Sequence, residues 1–163
     1  MDPDAVKRGL NHCLVVGALL ATLGIVTTVT IQIVARLFWT SAPAWTEEAA
    51  RFFFIFSVAF AAGPALRDGV FVRVDLLARW LPPRGAALLE VLVHLLTGSL
   101  LAVMALFSSD FIQLGMDQRS PSLRFPMAVV HSALFLLAAT TAGYALAAAL
   151  GAWHQWREQG PSA

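Results

Sequence analysis

Histidines at 12, 94, 131 and 154 are the side chains in this sequence best suited to chemistry. A level pair of histidines on neighbouring helices is what ligates haem iron in four-helix proteins. Depth separates them here. His94 lies about nine residues inside one end of its apolar stretch, roughly 14 Å down, and His131 about six residues from the opposite end of the next. The two are not level enough to share an iron. His12 and His154 sit near the borders with no evident partner at matching depth. Glu90 and His94, at i,i+4, have the spacing of a proton relay, because ionisable groups inside a membrane segment are functional candidates. So near its border, Glu90 more simply reaches headgroup water. Asp110, towards the other end of that stretch, can pair with Arg36 or Arg51 as a tie between helices.

The densest group of charges is Trp45-Thr46-Glu47-Glu48-Ala49-Ala50-Arg51. Glu47 and Arg51 are an i,i+4 pair in the favourable order, and Glu48 and Arg51 are i,i+3. Two carboxylates beside one guanidinium are nearly charge-balanced, which weakens cation binding. The cluster reads as an ion-pair knot that holds a helix end or docks a partner. Thr46 is placed to cap that helix, with both glutamates suiting its positive end. The sequence contains no nucleophile–base pair, no Gly-rich phosphate loop, no His/Cys metal cluster and no basic nucleic-acid patch. An enzyme is not expected, nor is a resident cofactor.

The elements that must position these groups are apolar. Of 163 residues, 58% are hydrophobic and 13% charged, with a mean hydropathy of +0.72. Soluble domains carry about 25% charged residues, so this chain lacks the polar surface to live in water. Its long apolar stretches suit the ~20 residues that cross a bilayer. The expected fold is an all-α integral membrane protein, one domain of four spans at about 10–39, 47–66, 86–114 and 125–153. Lys7-Arg8 before the first apolar run resembles a signal peptide. The run continues without a small-x-small cleavage site, so it reads as a retained span.

The connections carry the remaining signals. Gly63-Pro64 should weaken or kink the last turn of span 2. Asp75 can cap a short amphipathic helix over 75–81, with Leu76, Leu77, Trp80 and Leu81 on one face, lying in the membrane interface. Pro82-Pro83 stops it. Small residues recur every four positions on span 4, at Ala139, Gly143, Ala147 and Gly151, as an internal packing face or a seam with another subunit. Lys7, Arg8, Arg67, Arg73, Arg79, Arg84 and Arg157 fall on one side, against Arg36, Arg51, Arg119 and Arg124 on the other. That bias places both termini in the cytoplasm.

Taken in order, Trp45-x-Glu47-Glu48-x-x-Arg51, Gly63, Arg67-x-Gly69, Arg73-Val74-Asp75 and Leu81-Pro82-x-Arg84 resemble the small membrane (Q-type) subunit of tripartite ATP-independent periplasmic (TRAP) transporters. Arg119-Ser120-Pro121-Ser122-Leu123-x-x-Pro126 carries the resemblance further along the chain. Phe71 and His131 depart from it, standing where the family often has His and Tyr. The resemblance implies an accessory scaffold subunit in a bacterial inner membrane. It would pack on a large multi-span permease that imports an organic acid with sodium, the acid being delivered by a periplasmic binding protein. Sodium would bind the permease, and this chain would touch only protein and membrane lipid. Trp45, Glu47, Glu48, Arg51, Gly63, Arg67, Gly69, Arg73, Asp75, Trp80, Pro82, Arg84 and the four stripe residues would serve structure and partner packing. Two other readings of the same helices are a haem or redox four-helix membrane module and a small homo-oligomeric channel or exporter, the stripe being the seam of the latter.

Overall fold

A computed structural model describes residues 3–39, 43–70 and 80–158. Four helices follow one another: α1 (Pro3–Phe38), α2 (Ala44–Arg67), α3 (Pro83–Met116) and α4 (Ala128–Glu158). Each is long and apolar enough to cross a membrane. Among the described residues there is no strand, only an isolated bridge between Arg119 and Pro126. The interfacial helix expected over 75–81 falls, except for Trp80 and Leu81, outside the described residues, as do Phe71, Arg73 and Asp75.

The helices do not close into a bundle. Among the described residues α1 packs on α2 alone, α3 packs on α4 alone, and α2 meets α4 between them. They stand in a row, α1–α2–α4–α3, made of two antiparallel hairpins joined edge to edge. A row has two broad faces and no enclosed interior. Only 17% to 33% of each helix's most apolar window is buried, and Leu19, Leu23, Leu96, Leu106 and Leu150 are all more than 60% exposed. At ~25 cal/mol per Å² of apolar surface, water could not tolerate such faces. Lipid or protein must cover them.

At each seam a side chain or backbone segment of one helix fits against a glycine of the next. The Phe60 ring lies where a Cβ on Gly17 would be, 2.9 Å away, and the Phe53 ring does the same at Gly24, 2.7 Å away. The Phe-rich run of α2 is thus seated in notches one heptad apart on α1, with Thr22 and Ser57 hydroxyls 3.3 Å apart between them. At the α2–α4 seam the Tyr144 ring fills the notch of Gly63, 2.8 Å from its missing Cβ. Between α3 and α4, Gly98 faces Leu146 and Ala145, and Gly115 faces the Ala128 backbone. Close approach of backbones is how helices gain packing energy without a hydrophobic drive between them.

Two local expectations change. Thr46 does not cap α2: the helix begins at Ala44 behind Pro43, and the fully buried Thr46 donates its hydroxyl back to the Pro43 carbonyl at 2.7 Å. Pro43 fixes an extended entry, so the first turn forms upstream of the threonine. Nor does Gly63-Pro64 weaken the last turn enough to break it: α2 runs on to Arg67 with Pro64 buried inside it. The packing of Gly63 under Tyr144 holds that turn in place. The seam predicts a contrast measurable by thermal unfolding in detergent. Gly63→Ala should cost about 1–3 kcal/mol by overpacking. Gly143→Ala, whose Cβ would meet nothing within 4 Å, should stay within about 0.5 kcal/mol of the parent.

Candidate functional site

The motif residues of α2 separate to its two ends. At the N-terminal end the charged cluster divides. Arg51 Nη2 donates to Glu47 Oε1 at 3.3 Å, both side chains about two-thirds exposed. An exposed i,i+4 pair of this kind contributes a few tenths of a kcal/mol. Glu48 takes no part in it, contrary to the expected i,i+3 pair with Arg51. Its Oε2 instead accepts backbone N–H groups from Ser122 at 2.9 Å and Leu123 at 3.0 Å.

The loop that supplies those donors is shaped for the purpose. Ser120 N–H bonds Phe125 O, Arg124 N–H bonds Ser120 O, and Met127 N–H bonds Gln118 O. Arg124 takes a left-handed φ of 57°, and its carbonyl accepts from the Arg119 guanidinium at 3.4 Å. Inside this curl two successive N–H groups converge on one carboxylate oxygen, an anion-binding concavity. Ser120 is buried at its base. Glu48 therefore ties the α1–α2 hairpin to the α3–α4 hairpin through charge-assisted hydrogen bonds. The knot expected within α2 is a latch between hairpins.

Below the same loop, His131 is accounted for. Its Nδ1–H donates to the Phe111 carbonyl at 2.7 Å, and its ring sits edge-on to Phe111 at 5.6 Å. Gly98 faces Ala145, so His94 is level with a point four residues further along α4. That puts His131 roughly 27 Å from His94 along the axis, too far for a shared iron. Asp110 is exposed, and among the described residues forms no ion pair with Arg36 or Arg51. It lies on α3, which among the described residues packs only on α4.

At the other end of α2 the Arg67-x-Gly69 pattern is a helix stop. Gly69 N–H bonds Leu66 O and Val70 N–H bonds Ala65 O, with Gly69 at φ 66°. This is the Schellman arrangement, whose left-handed residue favours glycine. Arg67 Nε pairs with Asp68 at 2.8 Å. Pro82, in extended conformation, precedes α3, whose first turn holds Pro83 and Arg84. His94 is buried, with Nε2 3.8 Å from the half-exposed Glu90.

Trp45 and Trp153 are about 41% exposed and Trp80 is 82% exposed, at positions that suit membrane interfaces. The α4 stripe points outward. Gly143, Ala147 and Gly151 are exposed and Ala139 half-buried, while Ala138, Ala142, Ala145, Ala149 and Ala152 fill the seams. Sequence reasoning missed Ser120, Ser122 and Leu123 as the partners of Glu48. If Glu48 is the latch, Glu48→Ala should speed amide exchange at Ser122 and Leu123 by roughly tenfold or more through local opening. Glu47→Ala should leave those amides unchanged; exchange mass spectrometry reads both.

Comparison with known families follows the same geometry. A model of the family described as tripartite ATP-independent periplasmic transporters, DctQ component, matches residues 25–157. That segment contains the latch, the helix stop and all or part of every helix in the row. A search of curated proteins finds no significant match. The four spanning helices and this match describe a multi-pass inner-membrane subunit of a transporter, not an enzyme, and the chain belongs to the DctQ component family of the TRAP transporters.

Proposed function

We propose that this subunit is a static buttress for the large multi-span permease of its transporter, which imports an organic acid with sodium from a periplasmic binding protein. The observation that carries this reading is the open row. Two apolar faces with no interior suit a flat platform with lipid on one side and protein on the other. An open row, with only a cleft at one end between its helices, has no room for a pathway of its own. Substrate and sodium would then pass through the larger partner, and this chain would hold no cofactor.

Stiffness is what such a platform needs, and the row is tied at several levels. Glu48 joins the hairpins at one end, Gly63 and Tyr144 interlock nearer the other, and the Schellman turn fixes where α2 stops. A moving permease domain would slide against a surface whose helices keep their register. The Lys/Arg bias supports a topology with the start of α1 and the end of α4 in the cytoplasm and the Glu48 latch on the periplasmic side.

Extraction in mild detergent tests the partnership: the chain should elute with a much larger membrane protein, and repeated isolation alone would refute it. Vesicles holding only this polypeptide should show no sodium-driven uptake, whereas vesicles holding it with the permease and binding protein should. A cysteine added at the C-terminus of a Cys13→Ser variant should resist a membrane-impermeant thiol reagent in intact cells. Ready labelling would reverse the topology.

A further inference from the structure

A cleft of about 710 Å³ opens at the end of the row where both termini lie. Its lining includes Arg8 from α1, Arg67 from α2, Glu90 and His94 from α3, and Ala147 and Gly151 from α4. We propose that this cleft holds a membrane phospholipid, its phosphodiester between the Arg8 and Arg67 guanidinium groups and an acyl chain along the open face of α4.

Arg8 and the edge of Arg67 that Asp68 leaves open offer guanidinium donors to an anion, and Glu90 on the same wall favours an anion of single charge over one of higher charge. A phosphodiester carries one negative charge, whereas free phosphate at neutral pH carries between one and two and would crowd Glu90. The Tyr144 hydroxyl in the cleft wall is buried without a hydrogen-bond partner among the described residues, a spare donor close to Arg67.

Depth favours a lipid. Trp153 and Trp156 stack at 5.0 Å on the same end of α4, a pair suited to headgroup level. Basic pockets between membrane helices on that side recruit lipid headgroups. Below the arginines, Gly151, Ala147 and Gly143 leave a shallow channel, and a Cβ on either glycine would meet nothing within 4 Å. From Gly151 to Gly143 this channel runs about 12 Å, enough for the upper half of one acyl chain.

The test uses the full-length chain with whatever protein co-purifies, washed extensively in mild detergent and examined by native mass spectrometry and phosphorus assay. One tightly held phospholipid per chain is expected. Retention should fall about fivefold for each arginine removed, in Arg8→Gln and Arg67→Gln. Gly151→Leu fills the channel without touching the seams and should expel the lipid while leaving helix content and elution volume unchanged. Thermal stability should rise on adding phosphatidylethanolamine or phosphatidylglycerol micelles and not on adding inorganic phosphate. Equal retention in all three variants would overturn the proposal, and so would protection by inorganic phosphate as strong as by lipid. If Gly151→Leu kept its lipid but lost a co-purifying membrane protein, the channel would be a protein seam and the proposal would fail.

Discussion

The row rests on the fit between small residues of one helix and rings or backbone of the next. Inside a bilayer, apolar side chains gain little from leaving lipid for protein, so association depends on close van der Waals contact. Glycine at 17, 24, 63, 98 and 115 lets a neighbour come within that range. Gly115 allows no substitution without backbone movement, since a Cβ would collide with the Ala128 nitrogen. Because each notch faces one neighbour only, the helices join in file. Among the described residues no third helix covers the seams, and both faces stay open.

That arrangement decides which functions the molecule can support. A four-helix haem protein needs histidines converging in a shared interior, and a row has none to offer. A channel built by one chain needs helices around a lumen. What a row offers is area and stiffness, which suits a subunit of a larger transporter. The family match and the geometry meet at this point: residues 25–157 contain the Gly63, Gly98 and Gly115 interlocks and the Glu48 latch, while the Gly17 and Gly24 notches precede the matched segment.

Much of this was legible in the sequence because it depends on local composition. The four spans follow from hydropathy and the Glu47–Arg51 pair from spacing. What was illegible depends on contacts between distant segments. Glu48 and Arg51 look like partners at i,i+3, yet the carboxylate turns towards Ser122 and Leu123, 74 and 75 residues away. Two converging N–H groups in a curled loop outcompete a guanidinium that water already solvates well. Thr46 has the residue type of a cap, but the rigid Pro43 starts the helix earlier. The direction of the α4 stripe was equally hidden. It follows from α4 having α2 on one flank and α3 on the other, which a single chain of letters does not state.

The placement of the ties has a mechanical consequence. Two hairpins joined along one helix pair would be free to splay about that seam, since nothing flanks it. Gly63 and Tyr144 interlock α2 with α4 near the end that carries the termini, and Glu48 fastens them near the opposite end. Fixing both ends of a hinge line suppresses splaying more than two contacts at one end, because the lever arm between them spans most of α2. The latch also sits at the rim of the row, in the first turns of α2, where the curled loop brings two N–H groups onto one carboxylate oxygen. A carboxylate at mid-membrane would carry a heavy desolvation cost, and at that level the chain uses glycine and phenylalanine. Charge at the rims and small residues in the middle are thus one solution to holding a flat object rigid in a solvent that rewards neither alone.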